Sequence, residues 1–256
     1  MKQLFLLFIL FSTLLKAATI TIVADKNCPY YCADNAQDKG FVIDIATHVF
    51  TKMGYNVKYI TAESQEKAIE DVRTNKYDAI IGATTKEAPG LIFSIYPLAY
   101  SYDVILVPKF SKWKYKSPIS LDELTLGVIQ DHVYDDVINE HIAKYKDDRS
   151  KVQMTMGKYA SKENLKKLRY DKITALVDNQ HSLQYFYAKK KKLFPFKVAK
   201  KLNYSKINIA FSPKDYKAQR RAKAFSRQLR KLRGTQQMKS ILKKYGLIER
   251  NILPPQ

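Results

Sequence analysis

Cys28 and Cys32 are the only cysteines of the chain, set around Pro29-Tyr30-Tyr31. In an oxidising compartment an even pair this close in sequence reads as a small disulfide-closed loop. Free thiols are the alternative reading. A structural zinc would need further ligands, and the closest histidine, His48, falls on an expected helix. A second constellation is Gly82-Ala83-Thr84-Thr85, just past the short apolar run Tyr77–Ile81. Small residues there let backbone N–H groups approach a ligand, and Thr84 or Thr85 adds a hydroxyl; a plain strand-to-loop turn is the competing reading. A third is Gln130-Asp131-His132, which leads into helical periodicity from Tyr134. Free N–H groups at a helix N-terminus favour a carboxylate or other anion. Asp131 is equally suited to N-cap that helix, and His132 to lie on a surface loop. No Gly-x-Ser-x-Gly elbow, His-Glu-x-x-His pair or glycine-rich phosphate loop occurs, so no catalytic residue, metal site or cofactor is assigned.

The elements that must carry these residues alternate. Thr19–Ala24 is β-branched and reads as a strand, and Phe41–Phe50 repeats apolar residues at three and four positions, as a buried helix face does. Gly54 ends that helix, Tyr55–Ile60 reads as a strand, Gln65–Thr74 as a helix and Tyr77–Gly82 as a short buried strand. This β-α-β-α-β order argues for a parallel sheet covered by helices. The pattern restarts near residue 104, with strands at Val104–Val107, Leu126–Ile129, Thr174–Val177 and Asn208–Phe211. Helices are expected over Tyr134–Lys144, Ser161–Leu168, Gln180–Lys190, Tyr216–Leu232 and Thr235–Tyr245. No long Gly/Ser or Pro linker divides the two halves, which implies two intimate lobes joined by short crossing strands.

Residues 1–17 bear on location. Lys2 precedes an apolar run from Leu4 to Leu15, and Ala17-Ala18 supplies small residues at a cleavage point. A run of about a dozen apolar residues matches a secretory signal and is short for a bilayer span; an uncleaved anchor is the alternative. The net charge of +21 favours anionic surfaces. No zinc-finger spacing or RNA-binding aromatic signature accompanies it, so nucleic acid is not an expected partner. Loose association with an anionic membrane surface is.

Several segments, in order, resemble type II periplasmic solute-binding proteins of the polar amino-acid ABC transporter receptor family. They are Gly40–Ile45, Lys76–Thr84, Phe93-Ser94 with Tyr96-Pro97, Ile119–Leu124 before Leu126-Gly127-Val128, and Lys206–Ser212. The resemblance covers nearly the whole chain after residue 17. It implies an α/β, two-lobed type II fold, each lobe a mostly parallel sheet flanked by helices, the lobes joined by two hinge segments. Lobe 1 would take residues 18–107 and 206–256, and lobe 2 residues 108–205. It also implies a periplasmic monomer that captures a small polar solute by lobe closure for an inner-membrane ABC permease.

By the same resemblance, Tyr30 and Tyr31 lie where the family sets an aromatic over its ligand; plugging the cysteine loop is their other role. Gly82–Thr85 would receive a ligand carboxylate, and Asp178, or Asn179 in the neighbouring register, would meet a ligand ammonium. Capping the helix from Gln180 is the structural use of that pair. One departure is plain: the family's arginine after the Thr pair is missing, and the segment reads Thr84-Thr85-Lys86-Glu87-Ala88-Pro89-Gly90. Lys86 is a point charge and not a bidentate fork. The same fold also hosts a dehydratase, so an exported enzyme, or a sensory lobe that binds protein, stands as the alternative function.

Overall fold

The computed structural model describes residues 17–130, 132, 134–157 and 159–254. The leader expected over 1–17 therefore lies, except for Ala17, outside the described residues, as does Asp131. Two five-stranded sheets organise the chain. The first contains β1 (Thr19–Ala24), β2 (Asn56–Thr61), β3 (Ala79–Ile81), β4 (Ile92–Phe93) and β10 (Ile209–Phe211), in the order β2-β1-β3-β10-β4. The second contains β5 (Ala99–Pro108), β6 (Leu126–Ile129), β7 (Val152–Thr155), β8 (Ala175–Asn179) and β9 (Phe196–Ile207), in the order β7-β6-β8-β5-β9.

Both sheets are mixed in the same way. In the first, β1 runs parallel to β2 and β3, while β10 is antiparallel to β3 and β4. In the second, β6 runs parallel to β7 and β8, while β5 is antiparallel to β8 and β9. The expectation of mostly parallel sheets is corrected to half: strands entered through a helical crossover are parallel, and those that return through the lobe junction run the other way.

Helices cover these sheets for reasons visible in the residues. α1 (Phe41–Lys52) buries Phe41, Val42, Ile45, Ala46, Val49 and Phe50 at helical spacing. Gly40 precedes it at φ +109°, and a Cβ there would lie 2.3 Å from the Tyr30 carbonyl oxygen, so only glycine fits. Ser64 caps α2 (Gln65–Arg73) by accepting from the Lys67 N–H. α3 (Asp136–Tyr145) starts two residues later than expected, and Asp135, not Asp131, supplies its cap through the Ile138 N–H. α4 (Ala160–Arg169) and α5 (Gln180–Lys189) flank the second sheet; α6 (Ala218–Leu232) and α7 (Gln236–Lys243) pack on the first. The first core centres on Ile20, Ile22, Phe41, Phe50, Phe211 and Phe225.

The lobes are joined by β5 and β9, paired from Ala99↔Ile207 to Pro108↔Phe196 with register shifts after Tyr102 and Ile105. The divisions drawn at 107/108 and 205/206 fall inside these two strands. The C-terminal segment adds a third tie: the Asn251 carbonyl accepts from His181 Nε2 at 2.9 Å and the Ile252 carbonyl accepts from the Tyr100 N–H at 3.0 Å. The Leu253 carbonyl accepts from the Tyr102 hydroxyl.

Candidate functional site

Cys28 and Cys32 are disulfide-bonded, with Cα atoms 4.5 Å apart. The loop they close is held by Asn27, just before it, whose carbonyl accepts the N–H groups of Tyr30 and Tyr31. The two tyrosines then diverge. Tyr30 is 1% exposed, its ring packed on Phe41 and His181 with centroids 5.2 and 5.4 Å away, so it presents no face to a solute in this arrangement. Its hydroxyl instead meets Ser101 Oγ at 2.6 Å, Asn179 Oδ1 at 2.9 Å and His181 Nδ1 at 2.9 Å. Because His181 Nε2 donates to the Asn251 carbonyl, Nδ1 is an acceptor, and it shares the single Tyr30 hydroxyl proton with Asn179 Oδ1. Burial raises the Tyr30 phenol and lowers His181 to about 4, so both stay neutral.

Tyr31 turns toward the loop after β3. Its hydroxyl oxygen lies 2.7 Å from where a Cβ on Gly82 would stand, and Gly82 has φ +104°. Any larger residue would displace the ring. Asp25 and Glu87 lie near enough to Tyr31 that, with burial first, they raise its phenol. Beyond Gly82 and the buried Ala83, the chain makes a single helical turn. Thr84 and Glu87 form a reciprocal capping box: the Thr84 N–H donates to Glu87 Oε2 at 2.9 Å, the Thr84 hydroxyl to the same oxygen at 2.7 Å, and the Glu87 N–H to Thr84 Oγ1 at 3.3 Å. Thr85 and Lys86 are exposed beside it.

On the second lobe, the ends of β6 and β8 carry the opposing residues. The Gln130 N–H donates to the Thr155 carbonyl, so its backbone is spent within the lobe. His132 is exposed, stacks against Tyr134 with centroids 4.6 Å apart, and sets Nε2 3.4 Å from Asp103 Oδ2. That contact with Asp103 is the main reason its imidazole is raised above the usual range. Asp178 and Asn179 resolve into separate jobs. The Asn179 Oδ1 caps α5 by accepting from the Ser182 N–H at 3.1 Å, while its amide donates to Ser101 Oγ at 2.8 Å. Asp178 is 6% exposed; Oδ1 accepts the Asn179 N–H at 2.6 Å, and Oδ2 has no hydrogen-bond partner. Burial pushes this carboxyl up to about 6, against the pull of Ser161 and the Asn179 N–H.

The structure thus links Tyr31 and Gly82 through Tyr30 to Asn179, and through Asp178 to Asp103 and His132. Asp103, Ser101, His181 and Glu87 were not singled out from the sequence. Glu87 carried a signal, the Thr-x-x-Glu spacing of a capping box. The other three sit in a strand or helix and announce nothing until the lobes meet. A cavity of about 1010 Å³ lies elsewhere, between β9, α5 and the C-terminal segment, and is lined by Gln180, Gln184 and Lys201 but by none of the expected site residues. Among the described residues no group of three or more His, Cys, Asp or Glu side chains is placed to hold a metal ion.

Residues 20–248 match the family model of the bacterial extracellular solute-binding proteins, family 3. The chain belongs to that family. Among solved structures, the second substrate-binding domain of a putative amino acid ABC transporter from Streptococcus pneumoniae shares 18% identity with this solute-binding protein. The match covers 90% of this chain and 100% of that one at a TM-score of 0.68. Substrate-binding domain 2 of Lactococcus lactis GlnP, in open conformation, shares 19% over 90% of this chain and 96% of its own, also at 0.68. The L-cystine solute receptor of Neisseria gonorrhoeae, unliganded and open, shares 13% over 90% and 92%, again at 0.68. No curated protein matches the chain. These likenesses establish the two-lobed α/β fold expected above, and the family is extracellular and solute-binding. No helix among the described residues is long and apolar enough to cross a membrane.

Proposed function

We propose that this solute-binding protein works in the periplasm as the receptor of an ABC importer, capturing a small polar solute between its lobes without chemical change to it. The observation that carries this reading is the contact chain from Tyr31 and Gly82 through Tyr30 to Asn179 and Asp178. It joins loops at the strand ends of both sheets, where open α/β sheets collect ligands. In this reading Tyr31, Gly82, Ala83, Thr84 and Thr85 face the solute from the first lobe, and Gln130, Asp131, His132 and Asp178 from the second. Tyr30 and Asn179 hold the two sides in register. The protein acts as a monomer released by cleavage near residue 17. The exposed Arg220, Lys223, Arg227, Arg230 and Lys231 of α6, which form no ion pair among the described residues, favour a loose hold on an anionic membrane surface.

A thermal-shift panel on ligand-stripped protein tests the reading. A solute that binds only the folded state adds about 2.7 kcal/mol of stability at a hundred times its Kd, which a melt resolves. One solute class among amines, amino acids, small carboxylates and short peptides should raise the melting temperature. A flat panel would contradict a receptor role and favour a protein-binding or enzymatic one.

A further inference from the structure

If the solute site lies at the lobe junction as proposed, the two lobes present opposite chemistry to it. In the first lobe, the groups suited to gripping an anion are the Thr84 N–H and hydroxyl, and both already donate to one oxygen of Glu87. The capping box is closed within the loop, so a ligand carboxylate would have to displace an internal carboxylate of the same charge. The single cation of that loop, Lys86, is exposed on the turn. On the second-lobe side of the site, Asp178 Oδ2, in a residue only 6% exposed, is an acceptor with no hydrogen-bond partner among the described residues. A buried carboxylate oxygen without a partner is costly to keep, and a cationic donor removes that cost. Asp103 stands beside it, shared with His132 at 3.4 Å. Asp25 and Glu87 face Tyr31 from the first lobe.

We infer that the solute is a cationic amine lacking a free carboxylate, with Asp178 receiving its ammonium or guanidinium and Glu87 keeping the Thr84 donors closed to carboxylates. Glu87 is then a specificity-determining residue: it closes the subsite that an α-carboxylate would need and adds negative charge at its edge.

Matched pairs isolate the point, because each differs only in the carboxylate: L-lysine against 1,5-diaminopentane, L-ornithine against 1,4-diaminobutane, and L-arginine against agmatine. Calorimetric titration of ligand-stripped protein should show at least one amine bound about ten-fold or more tighter than its parent amino acid. Two variants separate closure from charge. Glu87→Ala opens the Thr84 donors and should narrow the gap by strengthening the amino acid. Glu87→Gln keeps a side chain able to cap the turn, and should weaken the amine without admitting the amino acid. An amino acid bound as tightly as its amine by the native protein would overturn the inference while leaving the receptor role standing. So would three silent amines beside a neutral or anionic solute that binds. Silence here together with a flat thermal-shift panel would overturn both.

Discussion

Asp178 holds a carboxyl that is almost fully buried, with Oδ1 bonded to the Asn179 N–H, and its pH response follows from that burial. Burial moves it from 3.8 to about 6, so the unfolded chain ionises it first. Stability therefore falls as pH rises from about 4 to 6 and stays lower above that, by on the order of 3 kcal/mol for a shift of about two units. Asp178→Asn should raise the melting temperature of the ligand-free protein above pH 6 and change it little near pH 4. The same variant should weaken amine binding, since the charge is gone. Thermal melts across pH check the first half, and a variant no more stable than the native chain above pH 6 would contradict it. In the sequence Asp178 and Asn179 are two candidates for one position, a single register step apart. Only the fold separates them, because alternate strand residues point to opposite faces and the α5 cap claims Asn179.

α5 is the element that ties the lobes together beside the hinge strands. Leu183 and Tyr187 pack it into the apolar cluster of Val104, Leu106 and Leu176 on the second sheet, while His181 reaches back to Tyr30 and Asn251. His181 is fully buried and lowered from 6.5 to about 4, so its neutral form contributes stability that is present above pH 6.5 and lost as pH falls toward 4. This slope opposes that of Asp178 over an overlapping window, so the native chain shows only their difference. His181→Gln should leave the Asp178 slope uncompensated, so the variant gains stability relative to the native chain as pH falls from 6.5 to 4, and an unchanged pH profile in melts of that variant would contradict the assignment. Helices such as α1 and α6 were legible because their apolar residues recur at helical spacing. β9 was not. Its Lys-rich stretch Phe196–Ile207 forms a sheet edge, where solvent and charge replace the alternation that marks a half-buried strand. β4, two residues long, is too short to leave a pattern.

At the scale of the whole molecule, the two sheets share one connectivity, two parallel pairings followed by two antiparallel ones, and meet along β5 and β9. The doubled β-α-β alternation made two lobes readable in the sequence, as did the absence of a linker. The junction was not readable, because Tyr30, Ser101, Asn179 and His181 come from four distant segments and converge only in three dimensions. The basic surface and the acidic junction are likewise separate facts: net charge describes solubility and steering, whereas Asp103, Glu87 and Asp178 describe what the junction accepts. If solute contacts are completed by both lobes, binding must favour the arrangement that brings them together, since a ligand shifts a conformational equilibrium only through its differential affinity. Small-angle X-ray scattering on the stripped protein, alone and saturated with the solute that gives the largest thermal shift, measures this directly. Closure of the lobes about β5 and β9 gives a smaller radius of gyration with solute bound. An unchanged radius at full occupancy would contradict capture between the lobes.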